Sequence, residues 1–252
     1  MRDLLDNSEV SYGVFCKTID PSFIEAIGLA GFDFVILDRE HGYASHETIA
    51  NLLRAAQVSS LVSIVRTANK SELEVSKPLD MGANGVQIPQ VRNQKDAQEV
   101  VEAAKFYPLG KRGVCRYVRD ANYSLKEKNK FFIEANKNTM VILQLEGVEA
   151  VSNIDSILEV QNIDIIFIGP YDLSQSLGMP GQVDHPKVIE LMREIIHKCK
   201  KKNIKVGTFV DTIESAKSWV DYGVKYIAYS VDIGIFSNVV ANINNNLRGK
   251  NK

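Results

Sequence analysis

The sequence has little cysteine, and its three thiols are far apart. Only Cys16, Cys115 and Cys199 are present among 252 residues, and no C-x-x-C pair occurs. A structural zinc site or a disulfide framework needs closely spaced or paired cysteines, so neither is expected. Scattered free thiols are typical of a reducing compartment, which predicts a cytoplasmic location.

The sequence also lacks an excess of charge of either sign. Thirty basic residues nearly cancel 31 acidic ones, which argues against nucleic acid or a charged membrane surface as a partner. No apolar run reaches the roughly 18 residues of a membrane span, so none is expected. The first residues, Met1 to Asp6, include acids where a secretory signal would be basic and then apolar.

Glycine-rich nucleotide turns are missing, since neither G-x-G-x-x-G nor G-x-x-x-x-G-K-[ST] occurs. Short β-branched runs instead alternate with longer amphipathic stretches, which predicts parallel strands joined by helices. The predicted strands are Tyr12–Cys16, Phe34–Leu37, Val62–Val65, Val86–Ile88, Val141–Leu145, Ile165–Ile168, Val206–Phe209 and Tyr226–Tyr229. The predicted helices are Ser22–Ala30, His46–Val58, Ser71–Leu79, Gln94–Ala104, Val148–Val160, Pro186–Lys202, Ile213–Tyr222 and the tail Ile235–Leu247.

This repeating plan predicts an α/β fold, a (β/α)8 TIM barrel, as a single domain over residues 1–252. A doubly wound open sheet is the alternative, but it would need a glycine-rich nucleotide turn. Helix C-caps are expected just before strands, at Gly31, Gly82, Asn203 and Gly223. One long connection, Phe106 to Ser124, interrupts the alternation, and such connections usually serve function or assembly.

Two carboxylates follow neighbouring predicted strands. Glu146 comes just after Leu145, and Asp172 comes shortly after Ile168. The loops beyond the C-terminal ends of parallel strands carry the reactive groups of such sheets. Two carboxylates that meet there form a suitable site for a hard divalent cation such as Mg²⁺ or Mn²⁺, and Co²⁺ is not distinguished by oxygen ligands. The alternative is that each acid caps the helix that follows it.

Other polar residues stand at the same ends of the predicted strands. Strand two leads into Asp38, Glu40 and His41, and strand three ends at Arg66. In strand five, the period of two puts Gln144 and Glu146 on one face. A metal, a base and a cation together suit chemistry on an anionic carbonyl compound. The remaining histidines, His46, His185 and His197, are expected to be capping or surface residues.

Several motifs together resemble the class II pyruvate aldolases. The motifs are D-x-E-H after strand two, V-R at strand three, V-Q-I-P after strand four, Y-P-x-G-x-R-G in the long connection, Q-x-E after strand five and G-P-Y-D-L-S-x-S-L-G after strand six. This HpcH/HpaI family is typified by the 2,4-dihydroxyhept-2-ene-1,7-dioate and 2-dehydro-3-deoxyglucarate aldolases. The resemblance runs from about Gly13 to Phe236. Departures at Arg39 and at Cys115-Arg116-Tyr117 affect the expected aldehyde partner.

The resemblance implies a role for each of these residues. Glu146 and Asp172 would hold the metal with Gln144 beside them, and Arg66 would contact the carbonyl oxygen of pyruvate. His41 would be the acid or base, oriented by Asp38. The implied reaction is reversible cleavage of a 4-hydroxy-2-oxo acid to pyruvate and an aldehyde through a metal-stabilised enolate. The family also implies a homohexamer built as a trimer of dimers, with the C-terminal helix exchanged between subunits.

The chemistry agrees with these roles. Cleaving a carbon–carbon bond beside an alcohol leaves a carbanion that must be stored as an enolate. A divalent ion and a fixed cation would stabilise that charge, and a histidine would take the hydroxyl proton. The backbone N–H groups of Tyr171 and Asp172 are candidates to bind the substrate carboxylate.

Three other functions remain open from the sequence. A Schiff-base aldolase needs a lysine at a strand end, and Lys17 is the candidate. A citrate-synthase-like relative would use the same residues to join an enolate to a keto acid. A non-catalytic binding barrel would lack a metal ligand or a base, and neither is missing. A phosphate-handling isomerase is disfavoured, because strands seven and eight end without the glycines of a phosphate cradle.

Overall fold

The β-branched runs of the sequence form eight parallel strands, each paired with the next and the last with the first. The computed structural model of the chain describes residues 10–249. The strands are β1 Ser11–Cys16, β2 Phe34–Asp38, β3 Val62–Arg66, β4 Gly85–Ile88, β5 Met140–Leu145, β6 Ile165–Ile168, β7 Lys205–Val210 and β8 Tyr226–Val231. The prediction of a (β/α)8 barrel is confirmed, and the open-sheet alternative is wrong because β8 pairs with β1. The predicted domain also includes residues 1–9 and 250–252, which lie outside the described residues.

Helices follow the strands and cover the outside of the barrel. Their bounds are α1 Pro21–Leu29, α2 His46–Val58, α3 Glu72–Asp80, α4 Gln94–Ala104, α5 Lys128–Asn138, α6 Val148–Ser152, α7 Ile154–Ile157, α8 Pro170–Ser176, α9 Pro186–Lys201, α10 Ile213–Tyr222 and α11 Asp232–Leu247. The predicted C-cap positions Gly31, Gly82, Asn203 and Gly223 all have positive φ. The prediction of a left-handed residue at the end of each of these helices is therefore confirmed.

Two helix predictions need correction. The sequence predicts one helix over Val148–Val160, but the structure has α6 and α7 with Asn153 between them in a non-helical conformation. The Asn153 side chain donates to the carbonyl of Arg92, a contact with a distant loop that the local pattern does not reveal. Helices α5 and α8 were not among the predicted helices, and α5 follows a 3-10 turn, Arg119–Ser124, in the long connection.

The alternation of strand residues separates two apolar layers. Inward-facing side chains, among them Phe34, Ile64, Ile142 and Phe167, fill the barrel interior. The intervening residues, such as Val141 and Leu143 of β5, pack outward against the helices. Because successive residues point to opposite faces, the inward set of β5 continues from Ile142 to Gln144.

The register of the strands brings polar inward-facing residues side by side at the C-terminal end of the barrel. Asp38 of β2 pairs with Arg66 of β3, and Arg66 pairs with Gln87 of β4. The next inward position of β5 is Gln144, which pairs with Phe167 of β6. These residues form a polar layer above the apolar interior.

Candidate active site

Asp38 and Arg66 form a two-point ion pair in this layer. The Nε and Nη2 atoms of Arg66 donate to the two carboxylate oxygens of Asp38 at 2.8 and 2.7 Å. Burial opposes the charge of Asp38, but the hydrogen bonds from Arg66 outweigh it and hold the pKa of Asp38 below its usual range. Burial likewise opposes the guanidinium charge, and the hydrogen bonds to Asp38 outweigh it and raise the pKa of Arg66. The pair is therefore ionised near neutral pH.

A second acid also faces Arg66. The Nη1 atom of Arg66 lies 3.0 Å from Oε2 of Glu40, whose side chain is 9% exposed. Burial raises the pKa of Glu40, and the positive charge of Arg66 works against that rise. All three nitrogens of the guanidinium thus lie beside a carboxylate, which fixes the plane of the group.

Asp38 contacts His41 through the backbone of that residue. Its carboxylate is turned towards Arg66, and Oδ1 also accepts the backbone N–H groups of Glu40 and His41 at 3.0 and 3.3 Å. Asp38 therefore holds the backbone of His41, while its oxygens are occupied by donors other than the imidazole. The imidazole is about half exposed, and its Nε2 lies 4.0 Å from Oε2 of Glu40.

A chain of amides leads from β4 to Glu146. The Nε2 atom of Gln87 donates to Oε1 of Gln144 at 2.6 Å. The amide nitrogen of Gln144 donates in turn to Oε2 of Glu146. The other oxygen of Glu146 accepts the backbone N–H of Gln90 at 2.7 Å. Glu146 is thereby fixed in position just beyond the end of β5.

The environment of Glu146 is already negative. Burial raises the pKa of Glu146 to about 7, and the nearby charges of Glu40 and Asp172 act in the same direction. Gly169, which precedes α8, leaves the room this carboxylate needs, since a Cβ at that position would lie 3.0 Å from Oε2 of Glu146. Clustered acids of this kind favour a bound cation.

Neither acid is the N-cap residue of the helix that follows it, although Asp172 lies in the first turn of α8, where the helix dipole also favours an acid. Within the described residues, α6 and α8 begin without a side-chain hydrogen bond at the N-cap, and the N-cap residues are Gly147 and Gly169. Glu146 instead accepts from Gln90 and Gln144, and Asp172 lies in the first turn of α8.

These residues border one cleft with two lobes at the mouth of the barrel. The first lobe, about 340 Å³, reaches from the ends of β1 and β3 to α8, and is lined by Lys17, Arg66, Gln144 and Tyr171 among others. The second lobe, also about 340 Å³, lies over Glu40, Gln90 and Glu146. His41 and Asp172 line both lobes. All the sequence-predicted site residues therefore lie in or beside this cleft, with Asp38 beneath Arg66.

Tyr171 belongs to the site through both its side-chain hydroxyl and its backbone N–H. Its hydroxyl donates to Oδ2 of Asp211 at 2.5 Å, and this hydrogen bond, with burial, raises the pKa of Tyr171 to about 12. The first backbone hydrogen bond across the start of α8 is donated by Leu173 to Gly169. The N–H groups of Tyr171 and Asp172 precede it, in the part of a helix whose donors lack intrahelical partners.

The structure also shows the surroundings of two further histidines, His185 and His46, and of Lys17. His185 is the N-cap of α9 and accepts the N–H of Lys187, as expected of a capping histidine. His46 begins α2 and contacts Arg39 and Glu74. Lys17, the candidate Schiff-base lysine, lines the first lobe.

Three site residues received no role from the sequence. Glu40, Gln87 and Gln90 hold Arg66, Gln144 and Glu146 in place. Glu40 and Gln87 occur within the D-x-E-H and V-Q-I-P motifs, and the period of two could have put Glu40 on the side of Asp38. Gln90 holds Glu146 through its backbone N–H, which no side-chain pattern reveals, and its side chain donates to Oε1 of Glu40 at 3.4 Å.

No helix within residues 10–249 is both long enough and apolar enough to cross a membrane. In the same range, no group of three or more His, Cys, Asp or Glu side chains is arranged to hold a metal ion.

Comparisons with known proteins show which family the sequence matches. The model of the HpcH/HpaI aldolase/citrate lyase family matches residues 11–239. The 5-keto-4-deoxy-D-glucarate aldolase of Klebsiella pneumoniae is 29% identical over 228 residues, which cover 90% of this chain and 88% of that enzyme.

Solved structures give the same result. A HpcH/HpaI aldolase/citrate lyase family protein from Burkholderia cenocepacia superposes with a TM-score of 0.93 at 28% identity, over 98% of both chains. The citrate synthase SbnG superposes with a TM-score of 0.88 at 31% identity, over 100% of this chain and 99% of that one. Together with the named aldolases, these matches identify an enzyme of the carbon–carbon lyase class. Since the family model spans nearly the whole barrel, this chain belongs to the HpcH/HpaI aldolase/citrate lyase family.

Proposed function

We propose that this enzyme is a divalent-metal-dependent aldolase that reversibly cleaves a 4-hydroxy-2-oxo acid to pyruvate and an aldehyde. The observation that carries the proposal is the cleft in which the fixed guanidinium of Arg66 and the imidazole of His41 lie with Glu146 and Asp172. A cation, a proton acceptor and two acids suit an enolate-forming reaction.

The donor set fits a hard divalent cation. Glu146 and Asp172 would hold the ion, because the raised pKa of Glu146 reflects burial and like charges that a cation would offset. Mg²⁺ commonly binds through one or two carboxylates plus substrate oxygens, and Mn²⁺ or Co²⁺ would suit the same ligands. When bound, the ion supplies a Lewis acid for the carbonyl oxygen of the 2-oxo acid.

Arg66 stabilises charge on that oxygen. Its guanidinium cannot rotate freely, since Asp38 binds it at two points and Glu40 lies beside the third nitrogen. A donor fixed in advance loses little energy to reorganisation when negative charge develops on the substrate. The N–H groups of Tyr171 and Asp172 bind the substrate carboxylate at the start of α8.

His41 moves the proton. It takes the proton of the 4-hydroxyl group as the bond between C3 and C4 breaks, and the electron pair of that bond passes to the enolate of pyruvate. Protonation of the enolate carbon then gives the methyl group of pyruvate. In the synthetic direction the same groups act in reverse order.

The half-reaction of pyruvate tests this proposal without an aldehyde. In heavy water, pyruvate should lose its methyl proton signal steadily in the presence of enzyme and Mg²⁺ or Mn²⁺. Chelation should stop the exchange, and added metal should restore it. If a folded enzyme gives no exchange with Mg²⁺, Mn²⁺ or Co²⁺, pyruvate is not the enolate partner.

A second candidate function is supported by one comparison. SbnG, a citrate synthase by name, matches this chain over its whole length at 31% identity. The same residues could join an enolate to a keto acid. Product formation from oxaloacetate and an acyl thioester, but not from pyruvate and an aldehyde, would favour this synthase over the aldolase.

We further propose a cytoplasmic homohexamer, a trimer of dimers with exchanged C-terminal helices. The support is a row of exposed apolar side chains along α11: Ile233, Phe236, Val240, Ile243 and Leu247. Their spacing of three and four residues forms one stripe, which a partner subunit would cover. Light scattering coupled to size-exclusion chromatography gives the subunit number, and a monomer would contradict the proposal. Three free cysteines are consistent with a reducing compartment.

A further inference from the structure

The position of His41 depends on the loop that carries it, residues 39–45 between β2 and α2. The imidazole is about half exposed, and its Nε2 lies 4.0 Å from Oε2 of Glu40, beyond hydrogen-bond distance. The backbone is held on one side by Asp38, whose Oδ1 accepts the N–H groups of Glu40 and His41. A Cβ at Gly42 would lie 2.1 Å from the carbonyl oxygen of Asp38, so the chain next to His41 approaches the end of β2 as closely as only glycine permits.

Arg39 connects the two ends of this loop. Its backbone N–H donates to the carbonyl of Arg66 in β3 at 2.9 Å, and its side-chain Nε donates to the carbonyl of Ala44 at 3.4 Å. The side chain therefore joins a residue that precedes His41 to a residue that follows it. Arg39 lines neither lobe of the cleft, so its contacts act on the loop and not on a ligand in the cleft.

The guanidinium of Arg39 also attaches the loop to two helices. Its Nη1 forms an ion pair with Oε2 of Glu74 on α3. The same nitrogen donates to Nε2 of His46, the first residue of α2, at 3.1 Å. Burial and the positive charge of Arg39 lower the pKa of His46, which favours the neutral imidazole that can accept this hydrogen bond. One side chain thus holds the loop, α2 and α3 together.

The ion pair of Arg39 and Glu74 is sheltered from water. The two side chains are 12% and 14% exposed, so solvent screens their attraction less than that of a surface pair. A pair of this kind can hold a loop in one arrangement. Such an arrangement matters for a proton acceptor, because displacing a catalytic group by about 1 Å can lower the rate by up to about a hundredfold.

We infer that Arg39 is a positioning residue for the proton transfer: paired with Glu74, it fixes the loop that presents His41 to the cleft. This inference rests on the proposed aldolase function and adds the contacts that hold its proton acceptor in place. Arg39 touches no reacting atom and acts only through His41. Its effect on the rate should therefore disappear when the imidazole is absent.

The test introduces Arg39→Met into the wild type and into His41→Ala. The substrate is the aldol adduct of pyruvate with glyoxylate or with glycolaldehyde, whichever the wild type cleaves faster in the presence of Mg²⁺ or Mn²⁺. The measured quantities are kcat and KM for cleavage, the exchange of the pyruvate methyl protons and the thermal stability of each variant. Arg54→Met is the matched control, because Arg54 is exposed on α2 and its Nη1 donates to Ala50 of the same helix.

In the wild-type background, Arg39→Met should lower kcat about tenfold or more and change KM by less than about threefold, because the groups that bind the substrate are unchanged. In the His41→Ala background, the same substitution should lower kcat by less than about twofold. Exchange of the pyruvate methyl protons should change little in Arg39→Met. Glu74→Gln should show the same pattern as Arg39→Met and serves as the test if that variant does not fold. Arg54→Met should behave like the wild type.

Two results would overturn the role of Arg39 alone. One is a normal kcat in a folded Arg39→Met, or in Glu74→Gln where Arg39→Met does not fold. The other is an equal loss of kcat with and without His41, which would show a general structural effect. A normal kcat in His41→Ala would remove the role of His41 and, with it, this inference. A wild type that cleaves neither adduct and exchanges no methyl protons would remove the proposed function itself.

Discussion

Asp38 and Arg66 are 28 residues apart in the sequence, yet they lie directly opposite each other on β2 and β3 and share two hydrogen bonds. This pair links the fold to the proposed chemistry. The carboxylate that was expected to orient His41 instead fixes the guanidinium that the substrate oxygen would contact.

Asp38→Asn tests this pair. The variant keeps the shape of the side chain but removes the charge that holds Arg66, so kcat should fall by about one to two orders of magnitude. Leaving a buried guanidinium without its partner should also lower the free energy of unfolding by roughly 3 kcal/mol. Steady-state kinetics and urea denaturation measure the two effects. Glu25→Gln, on the exposed side of α1, is the control.

Arg66→Lys keeps the charge and loses the planar fork. Lysine cannot bind Asp38 at two points while also facing Glu40, so it should not restore function. We expect a loss of about two orders of magnitude or more in turnover, for Arg66→Lys as for Arg66→Ala. Methyl-proton exchange of pyruvate measures the enolate step directly. A near-normal rate in Arg66→Ala would assign the residue a purely structural role.

Glu146→Gln and Asp172→Asn should each abolish turnover without unfolding the protein. Each variant removes one of the two carboxylates proposed to hold the metal, and a site with few ligands tolerates no such loss. Chelation should inactivate the wild type reversibly. Glu190→Gln, exposed on α9, should behave like the wild type. Full activity after exhaustive chelation, with no metal found by elemental analysis, would contradict metal dependence.

His41→Ala should separate the two halves of the reaction. Cleavage of the hydroxy-oxo acid should fall about a hundredfold or more, because the 4-hydroxyl proton loses its acceptor. Exchange of the pyruvate methyl protons should fall less, because pyruvate has no 4-hydroxyl proton for His41 to accept. Parallel measurement of cleavage and exchange on one preparation checks this. Equal losses in both would show that His41 serves the enolate step itself.

Asp232→Asn should destabilise the fold in a pH-dependent way. Burial opposes the charge of Asp232, but hydrogen bonds from Cys16, Thr18 and Lys17 outweigh it and lower its pKa from the ordinary value of 3.8. A lowered pKa in the folded state means that the stabilisation is present above pH 3.8 and is lost as the pH falls through the folded-state value.

Urea denaturation of Asp232→Asn at several pH values tests this sign. At pH 7 the variant should lose about 1 to 3 kcal/mol of the free energy of unfolding. The difference from the wild type should shrink below pH 3.8. A difference that stays constant from pH 7 to pH 3 would mean that the charge of Asp232 makes no contribution.

The sequence by itself determined the architecture. Each strand is a short run of β-branched residues, and each run is followed by an amphipathic stretch, so the local pattern required parallel strands and covering helices. Left-handed helix ends at Gly31, Gly82, Asn203 and Gly223 were readable because few residues adopt positive φ. The position of the acids beyond β5 and β6 could be predicted because the sequence shows where each of these strands ends.

Only the tertiary structure decided which side chains become partners. Local patterns put Asp38 before His41, but the register of β2 against β3 gives the carboxylate to Arg66. In the same way, contact with the carbonyl of Arg92 interrupts the predicted helix at Asn153. The hydrogen bond from the N–H of Lys17 to Asp232 joins the end of β1, the first strand, to the start of α11, the last helix. Periodicity reports which face a residue occupies, whereas hydrogen-bond partners depend on strand register and barrel closure, which connect residues far apart in the chain.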